Sequence, residues 1–310
     1  MRARLFLLIL AGLAVLALAV FRLSCPAEKI IAPPFGPEQS ATAPLLDLDS
    51  ACQQMANLLR RQLEPDGPVL VHAPWVLGGD IGREQLDTLY ASRLVPLADA
   101  MIDQYQMACP SRPITIVVLK DAASYARHAQ SLFGLGDVDK SGFYWPTLRT
   151  IAVNYQAAEE SLGHELTHAL MNDDFPSAPP WLAEGMASLH EAVQIEEGRP
   201  RLRGLVNWRL PRLVEAARAG QMPSLESLLL GQGISGSGRA LRYAEARFWC
   251  LYLQQRGVLA TFYREFRIQP PGEASGKAML QKLLGDRPWT EIDADFTRFV
   301  IQLDDQSKPH

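Results

Sequence analysis

The chain of 310 residues predicts an α+β protein. A mixed-sheet N-terminal lobe carries an HExxH helix, and a mostly helical C-terminal lobe follows. Three observations predict this. Short apolar runs rich in β-branched residues alternate with helical patterns as far as about residue 155, and Ile114-Thr115-Ile116-Val117-Val118-Leu119 is the strongest of them. Gly163-His164-Glu165-Leu166-Thr167-His168 sits in helical periodicity directly after such a run. Beyond Glu191 the apolar positions recur at helical spacing.

The chain opens with Arg2 and Arg4 before an apolar run from Leu5 to Phe21. Positive charge ahead of a hydrophobic stretch predicts a signal peptide or N-terminal membrane anchor over residues 1–24. Ala17-Leu18-Ala19 offers a cleavage site, and Leu23-Ser24-Cys25 is a weaker lipidation candidate because Arg22 precedes it. In each case the bulk of the chain is exported. It faces the periplasm or other extracytoplasmic space from the inner membrane, or is cleaved and secreted. Residues 25–44 hold five prolines, Pro26, Pro33, Pro34, Pro37 and Pro44, which suits an extended linker.

The α/β lobe is expected over residues 45–192. Leu45 to Leu63 reads as a helix with Leu48, Cys52, Met55, Leu58 and Leu59 on one side. Pro68 to His72 reads as a strand, and Glu84 to Met107 as a long helix with a kink at Pro96. Pro113 to Leu119 is apolar enough for a central strand. Asp121 then caps a helix to about Leu132, on which His128 reads as solvated. Ser141 to Trp145 and Arg149 to Tyr155 are two further strands, with Pro146 between them. Ala157 to Met171 is the helix that bears the histidines.

The helical lobe spans residues 193–310, with helices expected at 207–219, 224–230, 240–255, 259–266, 273–284 and 290–303. The glycine-rich stretch Gly231 to Gly238 reads as a connection or a lid.

Formal net charge is −4, without a long run of one sign, so nothing suggests nucleic-acid binding. Four cysteines are too few for a disulfide scaffold. In an oxidising compartment Cys52–Cys109 is the first pairing to expect, while Cys250 reads as a buried apolar residue. No Cys-x-x-Cys pair and no Gly-x-Ser-x-Gly elbow is present.

The chemistry concentrates at His164-Glu165-Leu166-Thr167-His168. Residues four apart share a helix face, so His164 and His168 present two imidazoles to one point, with Glu165 beside them. Two neutral imidazoles suit Zn²⁺, and a neighbouring carboxylate can take a proton from water. A surface helix with two solvated histidines is the bland alternative. A catalytic zinc wants a third protein ligand. Pro179-Pro180 can open a helix that puts Glu184 in its first turns, within reach of the metal. A small residue at Gly185 lets two helices approach closely.

His164-Glu165-x-x-His168 followed by Trp181-Leu182-x-Glu184-Gly185-x-Ala187 resembles the gluzincin metallopeptidases, most closely the bacterial peptidase MA-like group. The likeness is specific over about residues 140–190. It implies His164, His168 and Glu184 as ligands of one Zn²⁺ per chain and Glu165 as general base. It also implies a peptide or protein substrate hydrolysed in the cell envelope. Zinc aminopeptidases share the Trp-Leu-x-Glu-Gly-x-Ala segment, but this chain lacks their upstream Gly-x-Met-x-Asn stretch. In gluzincin-like folds an edge strand pairs with the substrate backbone, a role expected here for Arg149–Tyr155 or its neighbour. Tyr243 stands where the aminopeptidases resemble this chain in placing their oxyanion tyrosine, and His190 is its competitor. A zinc-stabilised envelope binding or assembly factor, with a peptidase-like cleft that does not cleave, is the main alternative. A zinc amidase acting on cell-wall material is a third. Oligomeric state is not legible.

Overall fold

A computed structural model describes residues 47–63, 67–135, 141–196, 201–231, 238–269 and 275–307. The expected export segment and linker, and the middle of the 231–238 loop, lie outside the described residues. Among the described residues no helix is long and apolar enough to cross a membrane.

The fold is α+β, with a five-stranded mixed sheet and a helical C-terminal part. The first part runs α1 (Leu48–Gln62), β1 (Val69–His72), β2 (Trp75–Gly79), α2 (Arg83–Leu89), a π-helical turn (Tyr90–Leu94), α3 (Val95–Tyr105), β3 (Ile114–Leu119) and α4 (Ala122–Phe133). It continues with β4 (Gly142–Trp145), β5 (Thr150–Asn154), α5 (Ala158–Asp174) and α6 (Pro180–Leu189). The second part contains β6 (Val193–Ile195), β7 (Leu202–Gly204), α7 (Leu210–Arg218), α8 (Leu225–Leu229), α9 (Arg239–Gln255), α10 (Leu259–Phe266), α11 (Lys277–Leu283) and α12 (Trp289–Ser307).

Strand order is β1-β2-β3-β5-β4. β2, β3 and β5 are mutually parallel neighbours, while β1 and β4 run antiparallel on the two edges. Every residue of β3 is buried, as its β-branched, mostly apolar run requires of a central strand. Side chains alternate across a strand, so the sheet feeds two cores. Ile114, Ile116 and Val118 join Leu77, Ile151 and Val153 on the face covered by α3 and α5. Val117, Leu119, Val76 and Ala152 face Cys52, Ala56 and Leu59 of α1 and Tyr125 of α4. The first of these cores runs on without a break through Trp181, Trp249 and Phe262 to Val300 and Leu303. The helical part is therefore built onto the same apolar interior as the sheet.

Two adjacent aspartates end α5. Carboxylates at a helix C-terminus oppose its dipole, so each needs a cation. Asp173 takes the buried guanidinium of Arg149, which leads into β5. Asp174 accepts from Arg267 at 2.6 Å, from the Tyr263 hydroxyl at 2.8 Å and from the Ala108 amide at 2.8 Å. α6 and α9 cross at Gly185, where a Cβ would lie 2.8 Å from the Ala246 carbonyl oxygen and 2.7 Å from Cys250 Sγ. The small residue expected at this position is what permits the crossing.

Several sequence expectations change. Cys52 and Cys109 are free: Cys52 is fully buried on the sheet-facing side of α1, whereas Cys109 is exposed, so the expected bridge does not form. The irregularity expected at Pro96 takes the form of the π-helical turn just before it. A proline has no N–H to donate, and the wider turn accommodates the missing bond. β2 and the β6–β7 hairpin were not expected. His128 is half-buried, and its Nδ1 lies 2.9 Å from the Ser124 carbonyl oxygen.

Candidate metal centre

α5 follows β5 through a single 3₁₀ turn, Tyr155–Ala157, which places the start of the helix at the C-terminal end of the sheet. Its face toward the sheet, Leu162, Leu166, Ala169 and Leu170, is buried. The i, i+4 spacing then turns His164 and His168 together into an open cleft, and their Nε2 atoms lie 3.2 Å apart. α6 comes back against α5 so closely that a Cβ on Gly163 would meet the His190 carbonyl oxygen at 2.2 Å. This approach delivers Glu184, whose Oε2 is 3.7 Å from Nε2 of both histidines.

One ligand atom from each of His164, His168 and Glu184 lies within 4.8 Å of the others, and the group could hold a metal ion. The donor set passes a geometric test. Tetrahedral zinc with bonds of about 2.0–2.2 Å separates its ligand atoms by roughly 3.3 Å, near the spacings found here. Glu165 is nearly buried and lines the same cleft.

A carboxylate outside the triad fixes the first histidine. Glu191 Oε1 lies 3.1 Å from His164 Nδ1. As acceptor it holds the proton on Nδ1 and leaves the Nε2 lone pair directed at the triad. Glu191 is itself held by Arg209, at 2.6 Å and 3.1 Å, and by the Asn207 amide at 3.1 Å. Burial would raise the Glu191 pKa, but the hydrogen bonds from His164 and Arg209 pull it down to about 2. Burial works against a charged His164. The Glu191 hydrogen bond and the carboxylates of Glu165 and Glu184 outweigh it and hold His164 above its ordinary value. Burial, with His164 alongside, pushes His168 down to about 3. Burial raises Glu184 above the usual carboxylate range, against His164, the Tyr243 hydrogen bond and two guanidiniums.

Tyr243, on the first turns of α9, lines the cleft and hydrogen-bonds Glu184. Burial, reinforced by the Glu184 charge, pushes its phenol up to about 12, so it is a proton donor at neutral pH. His190 is elsewhere. It is fully buried, with Nε2 3.1 Å from the Tyr105 hydroxyl and Nδ1 2.9 Å from Thr167 Oγ1. Thr167 donates to the Gly163 carbonyl, so His190 donates to Thr167 and accepts from Tyr105 as a neutral ring. It ties α6 to α5 and does not reach the cleft.

The cleft encloses about 840 Å³. One wall is α5 together with β4, the edge strand; the other carries Trp208, Arg209, Arg239 and Tyr243. β5 lies between β3 and β4 with both its edges paired, so Thr150–Asn154 has no free edge for a peptide. Its neighbour β4 has one among the described residues. Sequence reading did not single out Glu191, Asn207, Arg209, Arg239 or Trp208. The one available signal was Glu191 itself, a carboxylate just past the C-terminus of α6, where the helix dipole disfavours it.

Compared with known proteins, the chain matches no protein-family model and no curated protein.

Proposed function

We propose that this chain is a zinc-dependent peptidase of gluzincin type, working outside the cytoplasm. The observation that carries the reading is the convergence of His164, His168 and Glu184 beside Glu165, in a cleft open to a chain-like ligand. His164, His168 and Glu184 would hold the zinc. When bound, zinc supplies Lewis acidity, which polarises a carbonyl and lets a water lose its proton near neutral pH. Glu165 takes that proton as the water attacks the peptide carbonyl, then gives it to the departing amine. Tyr243 donates a hydrogen bond to the oxygen on which charge develops. β4 offers its free edge to the substrate main chain, and such pairing accepts many sequences. Export rests on residues 1–24, read from sequence.

Zinc content of the purified protein tests the reading together with hydrolysis of an unfolded protein substrate. One zinc per chain is expected, lost or loosened in Glu184→Ala. Glu165→Gln should keep its zinc and lose about 10²–10⁴-fold in turnover. A zinc-loaded wild type that cleaves nothing would favour the envelope binding factor over the peptidase.

A further inference from the structure

Two guanidiniums line the cleft, and their circumstances differ. Arg209 is engaged: Glu191 neutralises it at 2.6 Å, and it lies 4.2 Å over the Trp208 ring. Arg239 is exposed, 4.9 Å over the Tyr243 ring, and among the described residues no carboxylate comes within 4.0 Å of it. It is the first residue of α9, where a cation faces the positive end of the helix dipole and gains nothing locally. Its contact is with Tyr243, and its charge also acts on Glu184, but no carboxylate pairs with it among the described residues and the guanidinium keeps an open face toward the cleft.

Resting on the peptidase reading, we propose that Arg239 receives a carboxylate of the substrate, within two residues of the bond that is cleaved. The reach follows from the chain of contacts. Arg239 covers the Tyr243 ring, the Tyr243 hydroxyl bonds Glu184, and Glu184 is 3.7 Å from both histidines. One phenol ring thus separates the guanidinium from the metal ligands, a span that one or two extended residues cover at about 3.3 Å each. The remaining charges sharpen the choice. Glu160 and Glu165 face the cleft from α5, Glu191 is neutralised by Arg209, and Glu184 is committed to the metal on the peptidase reading. An anion is therefore repelled along the α5 wall and accepted at the α9 wall. The carboxylate is the peptide's own C-terminus or an Asp or Glu side chain, and both meet a guanidinium with the same paired hydrogen bonds.

The test is binding of short peptides to zinc-loaded Glu165→Gln protein, by calorimetry, so that no turnover is needed. Peptides are compared in matched pairs: free against amidated C-terminus, and Glu against Gln beside the expected scissile bond. The carboxylate member of one pair should bind about tenfold or more tightly. The pair that shows it identifies the source. Arg239→Gln in the same background should erase the difference, and Arg239→Lys should restore part of it. Equal affinities within both pairs, a preference that survives Arg239→Gln, or no binding of any peptide would overturn the proposal. The peptidase reading fails separately. A carboxylate preference lost in Arg239→Gln, in a protein whose intact Glu165 form cleaves none of these peptides, would leave the Arg239 site standing without a peptidase.

Discussion

Glu191 Oε1 stands 3.1 Å from His164 Nδ1, while the same carboxylate is gripped by Arg209 at 2.6 Å. The ring of the first histidine of the candidate metal site is thus set by a residue from beyond the end of the next helix. Glu191→Gln should weaken zinc binding by about 10–100-fold, because both the tautomer and the ring orientation lose their anchor. Competition against a fluorescent chelator measures this. An affinity equal to wild type would leave Glu191 as a holder of Arg209 alone.

Metal binding should also follow pH in a particular way. His168, held near 3, does not compete for protons above about pH 4, whereas His164 is held above its ordinary value. Zinc affinity should therefore fall by about tenfold per pH unit just below the His164 pKa, the loss of one proton-competing site and not two. In Glu191→Gln the stabilised imidazolium loses its partner and the His164 pKa drops. The onset of the fall should then move to lower pH, although the affinity at neutral pH is weaker. A slope of two protons per zinc at the onset would contradict the assignment.

Tyr243→Phe removes the hydroxyl that bonds Glu184 and faces the cleft. If it supports the developing oxyanion, kcat should fall by about 10²–10³-fold while KM changes little. Steady-state kinetics on a peptide substrate would show it, and an unchanged kcat would take Tyr243 out of the mechanism.

Gly163→Ala should destabilise the fold by about 1–3 kcal/mol, since its Cβ would be driven to 2.2 Å from the backbone oxygen of His190. Backbone on both sides cannot swing away as a long side chain would. A thermal melt of the zinc-free protein should show a lower Tm. Zinc affinity should fall as well, because the shift needed to relieve the clash moves α6 and Glu184. A Tm equal to wild type would mean that α5 and α6 separate at little cost.

The parts of the fold that periodicity governs could be read from sequence. β3 is apolar at every position but Thr115 because both its faces are buried, and α5 shows its stripe and its paired histidines through the 3.6-residue repeat. β2 was hidden by its closing Gly78-Gly79, and the β6–β7 hairpin by strands of three residues each. Chain order also misleads at the sheet edge. β5 enters between β3 and β4, so the earlier strand is the outer one, and only long-range pairing decides that. The candidate metal triad was legible because two of its residues sit on one helix and the third opens the next. Glu191 and Arg209 were not, since their meaning comes from partners in other elements, and Arg239 was not, since only the fold brings the start of α9 to the cleft. His190 illustrates the converse: its neighbours in sequence suggested the cleft, and Tyr105 and Thr167 hold it in the interior.

Asp173 and Asp174 point one residue of α5 toward the strand system and the next toward the helices that follow. The pair ties α5 to both parts of the chain, and the apolar interior beneath it is continuous from the sheet to α12, so the helix acts as a shared spine. Unfolding should accordingly be a single cooperative event, with amides of α5 among the last to exchange with deuterium in either half of the chain.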